Sequence, residues 1–83
     1  MGRYKTGMLV RSKAGHDFGM VYVIIDSDES YVYLVDGEIR TLDRPKKKKK
    51  KHTQLICNEY DISSANDATI RKIIKEWKKE VEL

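Results

Sequence analysis

The sequence has 83 residues, 40% of them hydrophobic and 36% charged, so it can form one small domain with a modest core and no deep substrate pocket. Its 17 Lys and Arg exceed its 13 Asp and Glu, which gives a net charge of +4. A single cysteine excludes an intramolecular disulfide, and the longest apolar run, residues 20–25, is too short to span a bilayer, so we expect a cytoplasmic protein without membrane contact.

The first half of the chain has the composition of β-strands. Residues 7–12 are a short apolar run that ends in polar residues, and residues 19–26 and 30–36 are rich in Val, Ile and Tyr, which favour a pleated surface. The sequence SDES, residues 27–30, separates the second and third strands with typical turn residues. Asp36 and Gly37 then predict a two-residue hairpin that leads into a fourth strand. Four strands within about 40 residues predict a small antiparallel sheet that closes toward a barrel.

The lysine run is the most unusual feature of the sequence, with six consecutive lysines at positions 46–51. Pro45 lacks a backbone donor and is expected to end strand pairing, whereas TQLIC, residues 53–57, predicts a fifth strand. Residues 44–52 are therefore expected to form a basic loop. Outside the six lysines the chain has 11 basic and 13 acidic residues, so its basic character is local and suits a polyanionic partner.

The carboxyl-terminal part changes to a helical period. Asn66 or Ser64 can cap the helix, and Asp67 suits its positive end. We expect residues 61–83 to pack as a helix on a barrel formed by residues 1–60, as one domain with a buried Trp77. The apolar stripe that predicts this packing consists of Ile70, Ile73, Ile74, Trp77 and Val81.

The loop SKAGHDFG, residues 12–19, has two glycines four residues apart. Gly15 is expected to take a positive φ, and Gly19 to allow a close backbone approach. Arg11 and Lys13 place cations beside the backbone donors of this loop, which suits phosphate oxygens or the edge of a folded RNA. By spacing alone, a purely structural turn remains the default interpretation.

The order of these features resembles the bacterial KOW-domain RNA-binding proteins, small relatives of the archaeal and eukaryotic large-subunit ribosomal protein fourteen-e. The resemblance rests on the SKAG-x-D-x-G loop, the Asp-Gly hairpin followed by an arginine, and the Pro-Lys run that ends in His. It implies a mainly β fold, a small SH3-like (KOW-type) antiparallel barrel with a carboxyl-terminal α-helix. It also implies an RNA partner, contact with ribosomal RNA or ribosomal proteins, and a role on the ribosome or in its assembly.

The resemblance places Asp17 and Gly19 in the KOW loop and implies that the arginines and the lysine run face RNA. We expect a non-enzymatic monomer without metal or cofactor, because no nucleophile or four-ligand site is evident. The predicted RNA-binding residues are Arg11, Ser12, Lys13, Gly15, His16, Arg40, Arg44, Lys46, Lys47, Lys48, Lys49, Lys50, Lys51 and His52.

Several alternatives remain open at this point. The lysine run could be a nuclear-import signal, a segment that lies on anionic lipid, or a linker, and an SH3-like barrel could bind proteins instead. Tyr31 and Tyr33 share one strand face, with Tyr22 beside them. They could stack on bases, but packing under the helix is the favoured interpretation.

Overall fold

The computed structural model describes residues 3–81, apart from the side chain of Cys57. The predicted barrel segment 1–60 begins with residues 1–2, and the predicted helical segment 61–83 ends with residues 82–83. These four residues lie outside the described part of the chain. A short 3-10 turn, Lys50–His52, connects the last two of five strands, and one helix follows them. The elements are β1 Met8–Ser12, β2 Val21–Ser27, β3 Tyr31–Val35, β4 Lys46–Lys49, β5 Thr53–Glu59 and α1 Asp67–Val81.

The five strands form one antiparallel sheet in the order β4-β3-β2-β1-β5. Register shifts interrupt the β1–β5 and β2–β3 ladders, between Met8 and Leu9 and between Ile24 and Asp26. Such irregularities increase local twist and bend a sheet. The sheet curls into a half-barrel consistent with an SH3-like barrel, and α1 completes the domain. This confirms the predicted fold class.

Alternate side chains of the strands fill two separate apolar clusters, one on each face of the sheet. The helix covers the outer face, where Ile70, Ile74 and Trp77 pack on strand residues, and the curl of the sheet encloses the inner face. Only 6% of Trp77 is exposed, which confirms its predicted burial. The strand residues are Leu9, Val21, Val23 and Val35 in the outer cluster and Val10, Tyr22, Ile24, Val32 and Leu34 in the inner cluster.

The helix begins at Asp67, six residues later than the predicted segment 61–83, and directly after one of its two predicted caps. Asn66 Oδ1 accepts hydrogen bonds from the backbone N–H and the hydroxyl of Thr69, both at 2.9 Å, so Asn66 is the cap. Asp67 Oδ1 accepts the backbone N–H of Leu42 at 2.8 Å and ties the helix start to the segment after β3. Gly37, at φ 80°, lies against this junction, where an added Cβ would stand 2.3 Å from the Asp67 carbonyl oxygen.

The predicted hairpin at Asp36 and Gly37 and the strand after it are wrong. Asp36 closes a wider turn, in which its carboxylate accepts the backbone N–H groups of Glu38 and Arg40. Its φ is not positive, as a two-residue turn of this type requires. The chain then continues without strand pairing as far as Pro45, and the fourth strand is formed by Lys46–Lys49 instead.

The predicted basic loop over residues 44–52 is therefore also wrong. Pro45 does not end the pairing but directly precedes β4, whose four residues pair with β3 from Leu34↔Lys46 to Tyr31↔Lys49. This strand lies at the edge of the sheet, where lysines protect a strand from pairing with other chains. The lysine run is thus built into the barrel.

Candidate nucleic-acid interface

The lysines of β4 alternate between the two faces of the sheet because successive residues of a strand point in opposite directions. Lys46 and Lys48 are half-buried and pair with inner-face residues of β3, whereas Lys47 and Lys49 are exposed on the outer face. Side chains directly opposite one another on paired strands share a face. The run is therefore divided into two inward-facing lysines and a set that points to solvent.

The inward-facing lysines both contact Asp17, which lies in the loop between β1 and β2. Lys48 Nζ lies 3.1 Å from Asp17 Oδ1 and Lys46 Nζ lies 3.4 Å from Oδ2. Ser12 Oγ is 2.9 Å from Oδ1, and the Tyr22 hydroxyl donates to Oδ2 at 3.2 Å. These five residues, Ser12, Asp17, Tyr22, Lys46 and Lys48, form a cluster that we call the Asp17 clasp. It ties the edge strand to the loop.

The clasp holds Asp17 ionised. Burial opposes ionisation, but the hydrogen bonds from Ser12 and Lys48 and the charges of Lys48 and Lys46 outweigh it and lower the pKa of Asp17 to about 2. Burial and the neighbouring Asp17 carboxylate raise the pKa of Tyr22 to about 12. The side chains of Asp17 and Lys48 are only 12% and 10% exposed, so their contacts are mainly with other residues of the protein and not with solvent.

The other four lysines continue from β4 into the 3-10 turn, and all of them are exposed except Lys50, which is half-buried. We call Lys47, Lys49, Lys50 and Lys51 the lysine edge. Within residues 3–81, the salt bridges of the lysine run are both made to Asp17 by Lys46 and Lys48, and none involves the lysine edge. Exposed cations without a carboxylate partner are available to an external anion.

Two tyrosines of β3 lie beside the lysine edge. Tyr31 and Tyr33 point to the outer face, directly opposite Lys49 and Lys47. Both are half-buried, and neither is among the described residues that pack against the cluster under α1. The favoured interpretation that they pack under the helix is therefore wrong, because Val35 is the residue of β3 that joins the cluster under α1. Tyr22 does not lie beside them, since it belongs to the cluster on the inner face.

The predicted loop residues divide in the same way between internal and exposed positions. Ser12 is only 1% exposed, and its hydroxyl belongs to the clasp. Arg11 donates to the Gly19 carbonyl at 3.1 Å and lies over the Trp77 ring, 5.7 Å from its centroid. We therefore assign Arg11 and Ser12 to positioning the loop, whereas the exposed Lys13 donates its backbone N–H to the His52 carbonyl.

Gly15 and Gly19 both take positive φ, 84° and 88°. For Gly15 this agrees with the sequence expectation. At Gly19 an added Cβ would meet no atom within 4 Å, so the expected close backbone approach is wrong and the backbone conformation is the reason for glycine.

The remaining predicted residues lie toward the two ends of β4. His16 and Arg40 line a shallow depression together with Lys46, and Arg44 is exposed in the turn that precedes β4. At the other end, Lys49, Lys50 and Lys51 line a depression with Tyr31, and the half-buried His52 leads into β5. Basic side chains thus follow the edge strand along its whole length.

Sequence reasoning missed two contacts of the site. It placed Asp17 in the loop but did not identify it as the counter-ion of Lys46 and Lys48. It also missed Tyr4, whose ring lies 4.9 Å from Lys50 Nζ. No sequence pattern links these distant residues.

The chain matches no family model and none of the curated proteins with which it was compared. Among residues 3–81, no helix is both long and apolar enough to cross a bilayer. Among the side chains that the structure describes, which exclude that of Cys57, no three His, Cys, Asp or Glu residues form a group that could hold a metal ion.

Proposed function

We propose that this protein is a non-enzymatic, cytoplasmic RNA-binding protein that holds RNA through the lysine edge. The observation that carries the proposal is the division of the lysine run. Two lysines are paired with Asp17, whereas Lys47, Lys49 and Lys51 are exposed and have no salt bridge within the described residues.

Electrostatics favour a polyanion at this edge. The rest of the chain has 11 basic and 13 acidic residues, so only the lysine run attracts a phosphate backbone. Lysine ammonium groups that contact phosphates release counterions, which supplies affinity independent of sequence. A lysine is a flexible point charge, so the edge positions RNA and does not read its bases.

The resemblance to the KOW-domain proteins supports RNA as the polyanion, and structured ribosomal RNA as the class of target. It also supports a role in ribosome function or assembly. Lys13 and His16 are exposed on the loop, and Arg40 lines the depression at the Lys46 end, so these residues can add phosphate contacts at that end of β4.

The proposal is tested by removing three charges from the edge and, separately, three from the helix. The edge variant carries Lys47→Gln, Lys49→Gln and Lys51→Gln. The helix variant carries Lys72→Gln, Lys75→Gln and Lys79→Gln, which are exposed and give the same net charge. We expect the edge variant to bind ribosomal RNA fragments at least about tenfold more weakly in low salt, and the helix variant to bind within about threefold of the parent. Equal losses would contradict a specific basic edge.

A protein-binding module is the second candidate. Ile39 is 75% exposed and Met20 is 42% exposed, and both line the depression beside Arg40. Exposed apolar side chains next to one another are typical of interaction sites. Binding that depended on these two residues and was insensitive to salt would favour this function over RNA binding.

A further inference from the structure

We propose that Tyr31 and Tyr33 form a stacking site for unpaired nucleotides of RNA. This inference rests on the proposed function and assigns it a substrate class. Two observations support it: the rings lie on the outer sheet face away from the α1 cluster, and Tyr31 shares a depression with Lys49, Lys50 and Lys51. Aromatic rings beside a basic groove are how proteins bind single-stranded nucleic acid.

The spacing of the two tyrosines favours unpaired nucleotides over a duplex. Residues i and i+2 of a strand are about 6.5–7 Å apart. This is roughly twice the 3.4 Å separation between stacked nucleotides along one strand of a helix. Successive bases can therefore reach both rings only if they separate from one another, and the base faces of a duplex are not accessible at all.

The charges around the site determine on which side of the two tyrosines the phosphates of the bound strand lie. In the turn between β2 and β3, Asp28 accepts the Tyr33 hydroxyl at 3.0 Å. Backbone hydrogen bonds from Tyr31 and Ser30 lower the pKa of Asp28, so its carboxylate remains ionised and repels phosphates. On the β4 side lie Lys47 and Lys49. The phosphates therefore run along β4, and the bases turn inward over the tyrosines.

Lys47 covers part of this site in the unbound protein. Its Nζ lies 4.4 Å from the centroid of the Tyr31 ring, in cation–π geometry. A base that stacks on Tyr31 replaces this ammonium group, which then turns toward the phosphate of the same nucleotide. The exchange couples base stacking to phosphate binding at one residue.

The test compares three ligands at equal concentrations of phosphate. They are an eight-nucleotide single-stranded RNA, an eight-unit strand of the same backbone without bases, and a fully paired RNA duplex. The stacking variant carries Tyr31→Leu and Tyr33→Leu. The matched control carries Tyr31→Phe and Tyr33→Phe, which keeps the rings and removes only the hydroxyls.

We expect the parent protein to bind the single-stranded RNA at least about tenfold more tightly than the abasic strand or the duplex, because stacking contributes about 1–3 kcal/mol per base. The Leu variant should lose that preference while its affinity for the abasic strand is unchanged, and the Phe variant should keep it. Ring-proton resonances of Tyr31 and Tyr33 should shift upfield when the RNA is added.

Equal binding of the RNA and the abasic strand by the parent protein would overturn the stacking site and leave the phosphate-binding edge intact. The parent comparison does not depend on whether the Leu variant folds. Preference for the duplex, or tyrosine resonances unchanged at saturation, would also overturn it. Failure of every ligand to bind would overturn the proposed function together with this inference.

Discussion

At the scale of single residues, Asp17 determines how the lysine run is used. One carboxylate contacts two lysines, a serine and a tyrosine, and its side chain is only 12% exposed. A partly buried carboxylate is stable only when cations and hydrogen-bond donors compensate for the lost water. Without Asp17, Lys46 and Lys48 would face each other and Tyr22 with no anion between them.

We therefore expect Asp17→Asn to lower the free energy of unfolding by about 1–3 kcal/mol, because it leaves two lysines without their counter-ion. Urea denaturation at pH 7 measures this. The matched control is Asp43→Asn, an exposed acid in the turn before β4, which should stay within about 0.5 kcal/mol of the parent. Equal stability of the two variants would show that the clasp contributes nothing to stability.

The same carboxylate gives a pH dependence. Its pKa falls from 3.8 in the unfolded chain to about 2 in the fold, so the clasp stabilises the protein fully above pH 4. This contribution is lost as the pH falls from about 4 to 2, when the unfolded state binds the proton more readily. After screening by solvent it amounts to about 1 kcal/mol. The Asp17→Asn variant should therefore lose less stability than the parent as the pH falls. Thermal melts of both proteins between pH 5 and 2 would detect this difference.

At the scale of secondary-structure elements, β4 predicts that neighbouring lysines have different roles. Replacing Lys46 and Lys48 with Gln should lower the free energy of unfolding by about 1–3 kcal/mol, because Asp17 loses both cations. Replacing Lys47 and Lys49 removes the same charge from the same strand but should change stability by no more than about 0.5 kcal/mol. Chemical denaturation measures the free energy of unfolding of both double variants. Equal losses of stability would contradict the different roles of the inward-facing and outward-facing lysines.

The helix α1 gives a second prediction at this scale. Trp77 is 6% exposed and packs with Ile70 and Ile74 over the sheet, so Trp77→Ala should cost about 3–5 kcal/mol. For a domain this small, that is a large part of the total stability. Val81→Ala on the same helix is the control, because Val81 is 56% exposed and should matter little. A Trp77→Ala variant that melts within a few degrees of the parent would mean that the helix is only peripherally attached.

The sequence was sufficient to predict those elements that carry a periodic apolar pattern. Strands β1, β2, β3 and β5 were predicted close to their observed positions, and the helix was predicted with Asn66 as one of its two candidate caps. Four adjacent lysines carry no such pattern, and lysine has a low strand propensity. Their strand conformation depends on pairing with β3 and on Asp17, which lies 29 residues before Lys46 in the chain. Contacts of this kind are not visible in a local pattern.

The tyrosines were misjudged for a related reason. Alternation correctly placed Tyr31 and Tyr33 on one face, and Val35 shows that it is the face that α1 covers. The sequence contains no information on how far along β3 the helix reaches. The distribution of candidate site residues between internal and exposed positions was likewise set by tertiary packing, as Arg11 over Trp77 shows.

At the scale of the whole molecule, charge is separated between one edge and the remainder. Outside the lysine run the chain carries two more acidic than basic residues, and the clasp neutralises part of the run itself. The long-range attraction for a polyanion therefore comes from the lysine edge, Lys47, Lys49, Lys50 and Lys51. The same arrangement limits the phosphate contacts made by the lysine run itself to about four instead of six.

The salt dependence of RNA binding tests this account most directly. Each lysine that binds a phosphate of a single strand contributes about 0.7 to the slope of log affinity against log salt, so four contacts give a slope of about 3 in magnitude. The edge variant, which lacks three of these lysines, should reduce the slope to about 1, and the helix variant should leave it near 3. An edge variant that keeps the parent's slope and affinity, or a helix variant that flattens the slope instead, would contradict the claim that this protein binds RNA through the lysine edge.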